Sequence, residues 1–365
     1  MSARIGLRSS LAGRPGYRSA QVPAEVRLNT NESPYPPPAA WQEELAAAIG
    51  RIDFHRYPDR DALELREGIA ALHGVTRDEV FCANGSNEVL QCLLLAYGGP
   101  GRTAVVFEPT YALHSHIAEL SSTEVHRAPR DVTLRIDADQ ARALLAEVAP
   151  EIVFVCSPNN PTGRSEQPAV VRDLAAAAPG LLLVDEAYGQ FSSFSALDLR
   201  DGAPGSDGLV VIRTFSKTWA MAGARLGYLV ADPEIVEGCR RTALPYHVSV
   251  QTQVAGLLAL GHVIEMEERV RAVGAARQRL VEGLSALDVE CWPSDANFCL
   301  FRPRHVTGRA AWEGLLARGV LVRDFTTLPG LEGALRVTVG TPEENERFLE
   351  ALAEVLALVP EEANR

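Results

Sequence analysis

Lys217 is the one lysine in a chain that otherwise uses arginine for its basic side chains. Of the 35 lysine and arginine residues, only Lys217 is a lysine. A guanidinium stays protonated, whereas a lysine amine can lose its proton when its pKa is lowered and can then attack a carbonyl carbon. A lone lysine therefore suggests imine chemistry, although a lysine left by chance on the surface would give the same composition. The residues around Lys217 decide between these interpretations.

Polar residues follow several short apolar runs, where the strands of an open α/β sheet would present a ligand site. After the run 79–83 come Ser86 and Asn87, which would open a helix and offer N–H groups to a phosphate. The same residues could simply cap that helix. After the run 103–107 comes Tyr111, which could stack on a planar ring or belong to the core.

The next three strand ends add the remaining groups. Asn160 lies in an Asn-Pro-x-Gly turn, where its amide could bond a phenolic oxygen or serve only the turn. Asp185 follows four apolar residues, and a buried carboxylate needs a cationic partner, either a protonated pyridine nitrogen or an arginine. Thr214 and Ser216 precede Lys217, and Arg225 follows it by eight residues. Their hydroxyl and guanidinium groups suit a phosphate. Each signal is modest alone, but together they predict a pyridoxal-phosphate site.

The elements that carry these residues alternate between strands and helices. Continuous apolar strands separated by helices are typical of a mostly parallel sheet covered on both faces. The short return to the run 226–230 favours an antiparallel partner. The predicted strands are 79–83, 103–107, 124–128, 152–156, 181–184 and 209–213, and the predicted helices are 39–49, 61–73, 87–97, 138–149 and 166–178.

Three regions are predicted along the chain. Residues 1–40, rich in proline, serine and arginine, form an N-terminal arm with little regular structure. Residues 41–245 form the large cofactor-binding domain, and residues 246–365 form a smaller C-terminal α/β domain. That smaller domain has a long helical stretch at 249–287 and apolar runs at 297–301, 320–322 and 335–339.

The composition narrows the class of protein. With 365 residues and 47% hydrophobic residues, the chain can bury one large core and a smaller one. Its net charge of −12 argues against nucleic-acid or anionic-membrane binding, and no apolar run approaches the roughly 20 residues of a membrane span. The six scattered cysteines suit a reducing cytoplasm and show no metal-site spacing. We interpret His114 and His116 as a surface or helix-face pair.

The chain resembles the histidinol-phosphate aminotransferase family of fold-type I aminotransferases over nearly its whole length. The N-P-T-G, D-E-A-Y and S-K…R-x-G motifs are typical of such aminotransferases, and N-T-N-E-S-P-Y with R-Y-P-D narrows the resemblance to this family. The matching segments are residues 16–19, 28–35, 56–59, 84–88, 109–111, 157–163, 185–188, 214–228, 244–246, 322–324 and 335–341. The resemblance implies an α/β fold with a mostly parallel seven-stranded sheet between helices and a smaller C-terminal α/β domain.

The resemblance also implies roles for individual residues. Lys217 would form the imine with pyridoxal 5'-phosphate and act as general acid and base, and Asp185 would pair with the pyridine N–H. The other cofactor contacts would come from Ser86, Asn87, Tyr111, Asn160, Tyr188, Thr214, Ser216, Arg225 and, across the interface of a homodimer, Tyr57. The substrate contacts would come from Tyr17, Asn31, Tyr246, Arg323 and Arg336, with no metal.

The implied reaction is transamination between L-histidinol phosphate or imidazole-acetol phosphate and 2-oxoglutarate or L-glutamate, a step of histidine biosynthesis. An aromatic or other amino-acid aminotransferase, or a phospho-amino-acid decarboxylase, could use the same cofactor residues. From another class, the fold could serve as a cofactor-binding or regulatory module without catalysis. Turnover of a phosphorylated amine, compared with phenylalanine, discriminates between the enzyme hypotheses, and retained cofactor absorbance without turnover would favour the non-catalytic module.

Overall fold

Two β-sheets with helices around them make up the fold. The computed structural model describes residues 6, 7, 11, 22–200, 202 and 204–358. The strands are β1 (Val26–Leu28), β2 (Val80–Ala83), β3 (Thr103–Glu108), β4 (Glu124–Pro129), β5 (Ile152–Cys156), β6 (Leu181–Asp185), β7 (Leu209–Thr214), β8 (Gly227–Val230), β9 (Val289–Cys291), β10 (Phe298–Pro303), β11 (Val320–Asp324) and β12 (Leu335–Thr338). The α-helices are α1 (Ala39–Ile49), α2 (Leu63–His73), α3 (Ser86–Tyr97), α4 (Leu113–Leu120), α5 (Ala138–Val148), α6 (Pro168–Ala177), α7 (Pro233–Thr242), α8 (Val250–Ala259), α9 (Val263–Ser285), α10 (Gly308–Ala317) and α11 (Pro342–Ala357).

The larger sheet has seven strands in the order β2-β8-β7-β6-β5-β3-β4. Its strands β4, β3, β5, β6 and β7 are parallel, and β8 is antiparallel to both β7 and β2. Strands β5 and β7 are buried at every position, as expected for parallel strands with helices on both faces. The carboxyl ends of β3, β5, β6 and β7 therefore meet at one edge, where the predicted site residues follow them.

The smaller sheet has five strands in the order β1-β11-β12-β10-β9. Strand β1 runs parallel to β11, with Val26 opposite Val320 and Leu28 opposite Val322. Leu28 is buried in the core of this sheet together with Val322 and Phe348. Strand β1 lies within the segment 1–40 and was not predicted. Its apolar residues complete a sheet whose other strands lie about 300 residues later.

Helix α9 belongs to both cores. Met266, near its start, packs in one cluster with Trp41, Ile69 and Ala255 on the larger sheet. Leu280 and Leu284, near its end, pack beneath the smaller sheet. The single helical stretch predicted at 249–287 is instead α8 and α9, joined by a short 3₁₀ turn. The domain boundary at residue 245 stays a prediction, and α8 packs on the large-sheet side of it.

Most predicted elements are confirmed to within two residues, among them α1, β5 and the antiparallel β8. Helices α4 and α7 were missed, and both are short. Across the described residues, no helix combines the length and the apolar character that crossing a bilayer requires.

Candidate active site

A cleft of about 620 Å³ lies between the carboxyl edge of the larger sheet and the smaller sheet. The structure brings most of the predicted site residues into its lining. These are Asn31, Ser86, Asn87, Tyr111, Asn160, Asp185, Tyr188, Thr214, Ser216, Lys217, Arg225, Arg323 and Arg336.

One end of the cleft is an anion cradle. Helix α3 begins at Ser86, so its first N–H groups and the positive end of its dipole face the cleft. Gly85 precedes the helix with φ +82°, and a Cβ there would lie 2.5 Å from Nη2 of Arg225. The Thr214 hydroxyl donates to Ser216 Oγ at 3.0 Å, and Arg225 Nη1 lies 3.5 Å from that oxygen. The cradle therefore joins a helix N-terminus, two hydroxyls and a guanidinium, which are donors that suit a phosphate.

Asp185 lies at the end of β6 and is 2% exposed. Its Oδ1 accepts from the Ala187 N–H at 3.0 Å, and its Oδ2 is 2.9 Å from Nε2 of His114. Since a carboxylate only accepts, the His114 proton belongs on Nε2. These two donors orient the carboxylate and leave it able to take one more donor from the cleft.

His114 corrects one interpretation of the sequence. It does lie on a helix, α4, but it is 1% exposed and its ring stacks on Phe154 at 5.0 Å, so it is not a surface residue. His114 follows Tyr111 by three residues at the start of α4, and its N–H donates to the Tyr111 carbonyl at 3.0 Å. The two rings meet edge-on at 5.4 Å. No local signal in the sequence marks the burial of His114, because its ring contacts Phe154 and Asp185 from distant strands.

Asn31, Tyr188 and Asn160 lie together in the lining of the cleft. Asn31 donates from Nδ2 to the Tyr188 hydroxyl at 2.8 Å, and burial raises the pKa of Tyr188 to about 12. Asn160 accepts a hydrogen bond from Arg336 Nη1. Asn31 of the N-terminal segment thus holds Tyr188, and Arg336 of the smaller sheet holds Asn160. These contacts close the cleft on the side of the smaller sheet.

Lys217 projects into the same cleft. Burial of its ammonium group lowers the pKa of Lys217 to about 8, and the positive charges of Arg336 and Arg225 act in the same direction while Glu32 opposes them. Its Nζ donates to the carbonyl of Thr30 at 3.1 Å. A substantial neutral fraction near pH 8 gives the amine the nucleophilic character that an exposed lysine lacks at that pH.

Arg323 and Arg336 stand opposite each other on β11 and β12. Arg336 is 5% exposed and donates from Nη2 to the carbonyl of Asn29 at 2.9 Å. The Phe325 ring lies beside both guanidinium groups, 5.8 Å from Cζ of Arg323 and 5.4 Å from Cζ of Arg336. This wall of the cleft therefore concentrates positive charge opposite the sheet edge that carries Lys217.

Two predicted residues lie elsewhere, and a third is outside the described residues. Tyr57 is 80% exposed, and its ring stacks on that of Tyr246 at 4.4 Å and 14° between planes. Neither tyrosine is among the described residues that line the cleft of its own chain. Tyr17 lies outside the described residues.

A buried ion pair beneath the cleft was not expected from the sequence. Arg130 and Glu166 form a salt bridge with both side chains 1% exposed. Arg130 Nε also donates to the carbonyls of Phe107 and Pro109 at 3.1 Å, and Glu166 N–H donates to Ser157 Oγ at 3.0 Å. The pair thus ties together the two loops that carry Tyr111 and Asn160. Its members are 36 residues apart and follow no motif, so only the fold brings them together.

The fold and this site define a pyridoxal-phosphate-dependent aminotransferase of fold type I. The sequence matches the aminotransferase class I and II family over residues 23–352. It is 45% identical over 362 residues to a histidinol-phosphate aminotransferase of Rhodococcus opacus, covering 97% of this chain and 93% of the relative. A Corynebacterium glutamicum enzyme of the same name is 43% identical over 363 residues, covering 97% of each.

The chain belongs to the histidinol-phosphate aminotransferase family. A solved histidinol-phosphate aminotransferase of Sinorhizobium meliloti, in complex with pyridoxal-5'-phosphate, has the same fold with a TM-score of 0.83. That structure is 22% identical in sequence and covers 92% of this chain and 91% of its own.

The residues of the cleft fit pyridoxal phosphate. The anion cradle leaves no room for a side chain on Gly227 either, because a Cβ there would lie 2.2 Å from the Ser86 nitrogen. Asp185 would accept from a ring N–H, and Tyr111, which also lines the cleft, would face the ring. Lys217 would supply the amine for covalent attachment. The cleft thus holds residue types that suit the phosphate, the ring nitrogen and the aldehyde of the cofactor.

Proposed function

We propose that this enzyme transfers the amino group between L-histidinol phosphate and 2-oxoglutarate, giving imidazole-acetol phosphate and L-glutamate, or catalyses the reverse. The observation that carries the proposal is the pair Arg323 and Arg336, directly opposite on neighbouring strands and both lining the cleft that holds Lys217. Both substrates end in anionic groups, and paired guanidinium groups bind phosphate or carboxylate in bidentate fashion. The names of the relatives support the same substrate.

The two arginines are not equivalent. Arg336 is buried and tied to Asn29 and Asn160, so its position is fixed before substrate binds. Arg323 is more exposed. We assign Arg336 to an anionic group of either substrate, carboxylate or phosphate, and Arg323 to the additional charge of a phosphate dianion. Asn31, held by Thr338 on β12 and bonded to Tyr188, borders the same space.

When bound, pyridoxal phosphate supplies an aldehyde that condenses with amines and a ring that takes up the electron pair released at the substrate carbon. Asp185 would hold the proton on the ring nitrogen, since its carboxylate is buried and His114 and Ala187 orient it. Lys217 would hold the cofactor covalently at rest and, as a free amine, would take the proton from the substrate Cα. The two arginines orient the substrate so that this proton faces the Lys217 amine.

We further propose that the enzyme is a homodimer with shared active sites. Tyr57 and Tyr246 form an exposed aromatic pair, and Phe54 and Leu244 beside them in the chain are 61% and 74% exposed. Such a cluster of exposed apolar side chains is typical of an interface. In this proposal Tyr57 bonds the cofactor phosphate of the partner subunit, and Tyr246 borders the partner's substrate.

The cytoplasm is the compartment we propose. All six cysteines are free, and five of them are buried. Unpaired thiols of this kind persist in a reducing compartment.

A glutamate-coupled assay tests the substrate assignment. Wild-type enzyme is incubated with L-histidinol phosphate and 2-oxoglutarate, and with phenylalanine, tyrosine and other amino acids in place of the phosphorylated amine. We expect kcat/KM to be highest for histidinol phosphate. If phenylalanine or tyrosine is preferred, the enzyme is an aromatic aminotransferase instead. Replacing Arg323 with alanine should lower kcat/KM more for histidinol phosphate than for glutamate.

A further inference from the structure

Arg323 and Arg336 present an electrostatic problem that their assignment to substrate does not solve. Residues directly opposite on antiparallel strands have Cβ atoms about 5 Å apart on the same face, and like charges in that arrangement destabilise the sheet. The two guanidinium groups carry the same charge, so bringing both to one substrate anion benefits from an attractive contact with each. Arg336 is held by its bonds to Asn29 and Asn160, and Arg323 is the more exposed of the two.

Phe325 occupies the place where this repulsion can be offset. Its ring lies 5.8 Å from Cζ of Arg323 and 5.4 Å from Cζ of Arg336, within the range of cation–π attraction. Arg336 has a second ring nearby, Phe298, at 5.0 Å. An aromatic quadrupole attracts both cations at once, whereas an aliphatic side chain of the same size would attract neither.

The ring is itself held in position from behind. Phe325 packs against the small cluster of Leu134, Leu300, Leu331 and Ala334. Its N–H donates to the Ala334 carbonyl at 3.2 Å, and its own carbonyl accepts from Leu328 at 2.9 Å. The ring therefore packs against this cluster and also borders the cleft. Because it carries no polar group, it can interact with neighbouring side chains only through its aromatic surface.

We propose that Phe325 is a positioning residue for anionic substrates: its ring holds the Arg323 guanidinium beside that of Arg336, so that a phosphate dianion meets both. The proposal rests on the proposed function only in assigning the two arginines to substrate anions. Phe325 has no group that could take part in proton transfer. It acts on binding, through Arg323, and its effect is greatest for the ligand with the most charge.

Two substitutions separate the ring from its volume. Phe325→Leu keeps an apolar side chain against the cluster and removes the aromatic face, while Phe325→Tyr keeps that face. Holoenzyme of each variant is titrated with inorganic phosphate by calorimetry, and KM and kcat are measured for histidinol phosphate and for glutamate. From the strength of a cation–π contact we expect Phe325→Leu to raise the phosphate Kd and the histidinol-phosphate KM by about 2- to 30-fold, with kcat nearly unchanged. Phe325→Tyr should match wild type, and the glutamate KM should rise less.

A double-substitution cycle tests whether the effect passes through Arg323. In an Arg323→Ala background, Phe325→Leu should change the phosphate Kd no further. The proposal is overturned if Phe325→Leu leaves both constants unchanged, if Phe325→Tyr is as impaired as the leucine variant, or if the effect persists without Arg323. Equal losses for both substrates with a lowered melting temperature would show a merely structural residue and overturn it too.

Failure of the proposed function would look different. In that case wild-type enzyme would not turn over histidinol phosphate with 2-oxoglutarate. The calorimetric titration with inorganic phosphate would still decide the role of the ring, because it needs no turnover.

Discussion

Replacing Asp185 with asparagine removes a buried charge while keeping the shape of the side chain. Asparagine can still accept the bond from His114 through its carbonyl oxygen, so the fold should be retained. The ring nitrogen of the cofactor, however, loses its anionic partner and with it the proton. Breaking a buried pair by removing one partner costs about 3–5 kcal/mol. At about 1.4 kcal/mol per factor of ten, kcat/KM should fall by roughly 150- to 5,000-fold.

The assay compares kcat/KM and the melting temperature of wild type and Asp185→Asn, each saturated with cofactor. A cofactor analogue methylated on the ring nitrogen provides the matched control, because its ring stays positive without a protein partner. With this analogue the variant should recover a large part of the loss, whereas wild type should not gain. Near-normal turnover of Asp185→Asn with the ordinary cofactor would refute the reasoning, as would a loss of activity that follows a loss of folded protein.

Three further predictions concern the amine, the interface and the buried ion pair. Because the pKa of Lys217 is lowered to about 8, the neutral fraction of its amine rises with pH through that value, and reconstitution of cofactor-free enzyme should accelerate with a midpoint near pH 8. Borohydride reduction should then label Lys217. A label at the α-amino group, or a midpoint near pH 10, would contradict the assignment. Tyr57→Phe should weaken cofactor retention by about 1.5–3 kcal/mol, measured by equilibrium dialysis, and a fully active monomer at micromolar concentration would contradict the shared site. Glu166→Gln leaves the Arg130 charge buried and unpaired, so the free energy of unfolding by urea should fall by about 3–5 kcal/mol. The control Glu313→Gln removes an exposed pair with Arg309 and should change that free energy by less than about 0.5 kcal/mol. Equal effects of these last two substitutions would count against the role of burial.

The larger sheet could be predicted because its strands carry a local signal. Residues 152–156 and 209–212 are continuous apolar runs, and burial on both faces requires just that composition. Once the strands are placed, the rule that ligands bind at their carboxyl ends brings Asp185 and Lys217 to the same cleft without knowledge of any contact.

The residues that were missed lack such a signal. Strand β1 is three residues long, and its partner is β11, so its pairing depends on the whole intervening chain. His114 was misread because its burial depends on side-chain contacts with Phe154 of β5 and Asp185 of β6. The Arg130–Glu166 pair and the ring of Phe325 act through geometry between distant segments, and a single sequence does not report that geometry.

The parallel pairing of β1 with β11 fixes the order in which the active site is completed during synthesis. The segment 29–32 contacts Lys217 through the Thr30 carbonyl and Tyr188 through Asn31. Hydrogen bonds with Thr338 and Arg336 hold this segment against the smaller sheet. At a synthesis rate of 5–20 residues per second, the roughly 90 residues between the end of β8 and the end of β11 take about 5–18 s to make. During that interval the larger sheet can assemble with Lys217 and Asp185 in place. Strand β1 has no partner strand yet, so the segment 29–32 that follows it is not held against the cleft. A nascent chain that folds its larger sheet in that interval would leave Lys217 open to solvent and to any aldehyde in the cell.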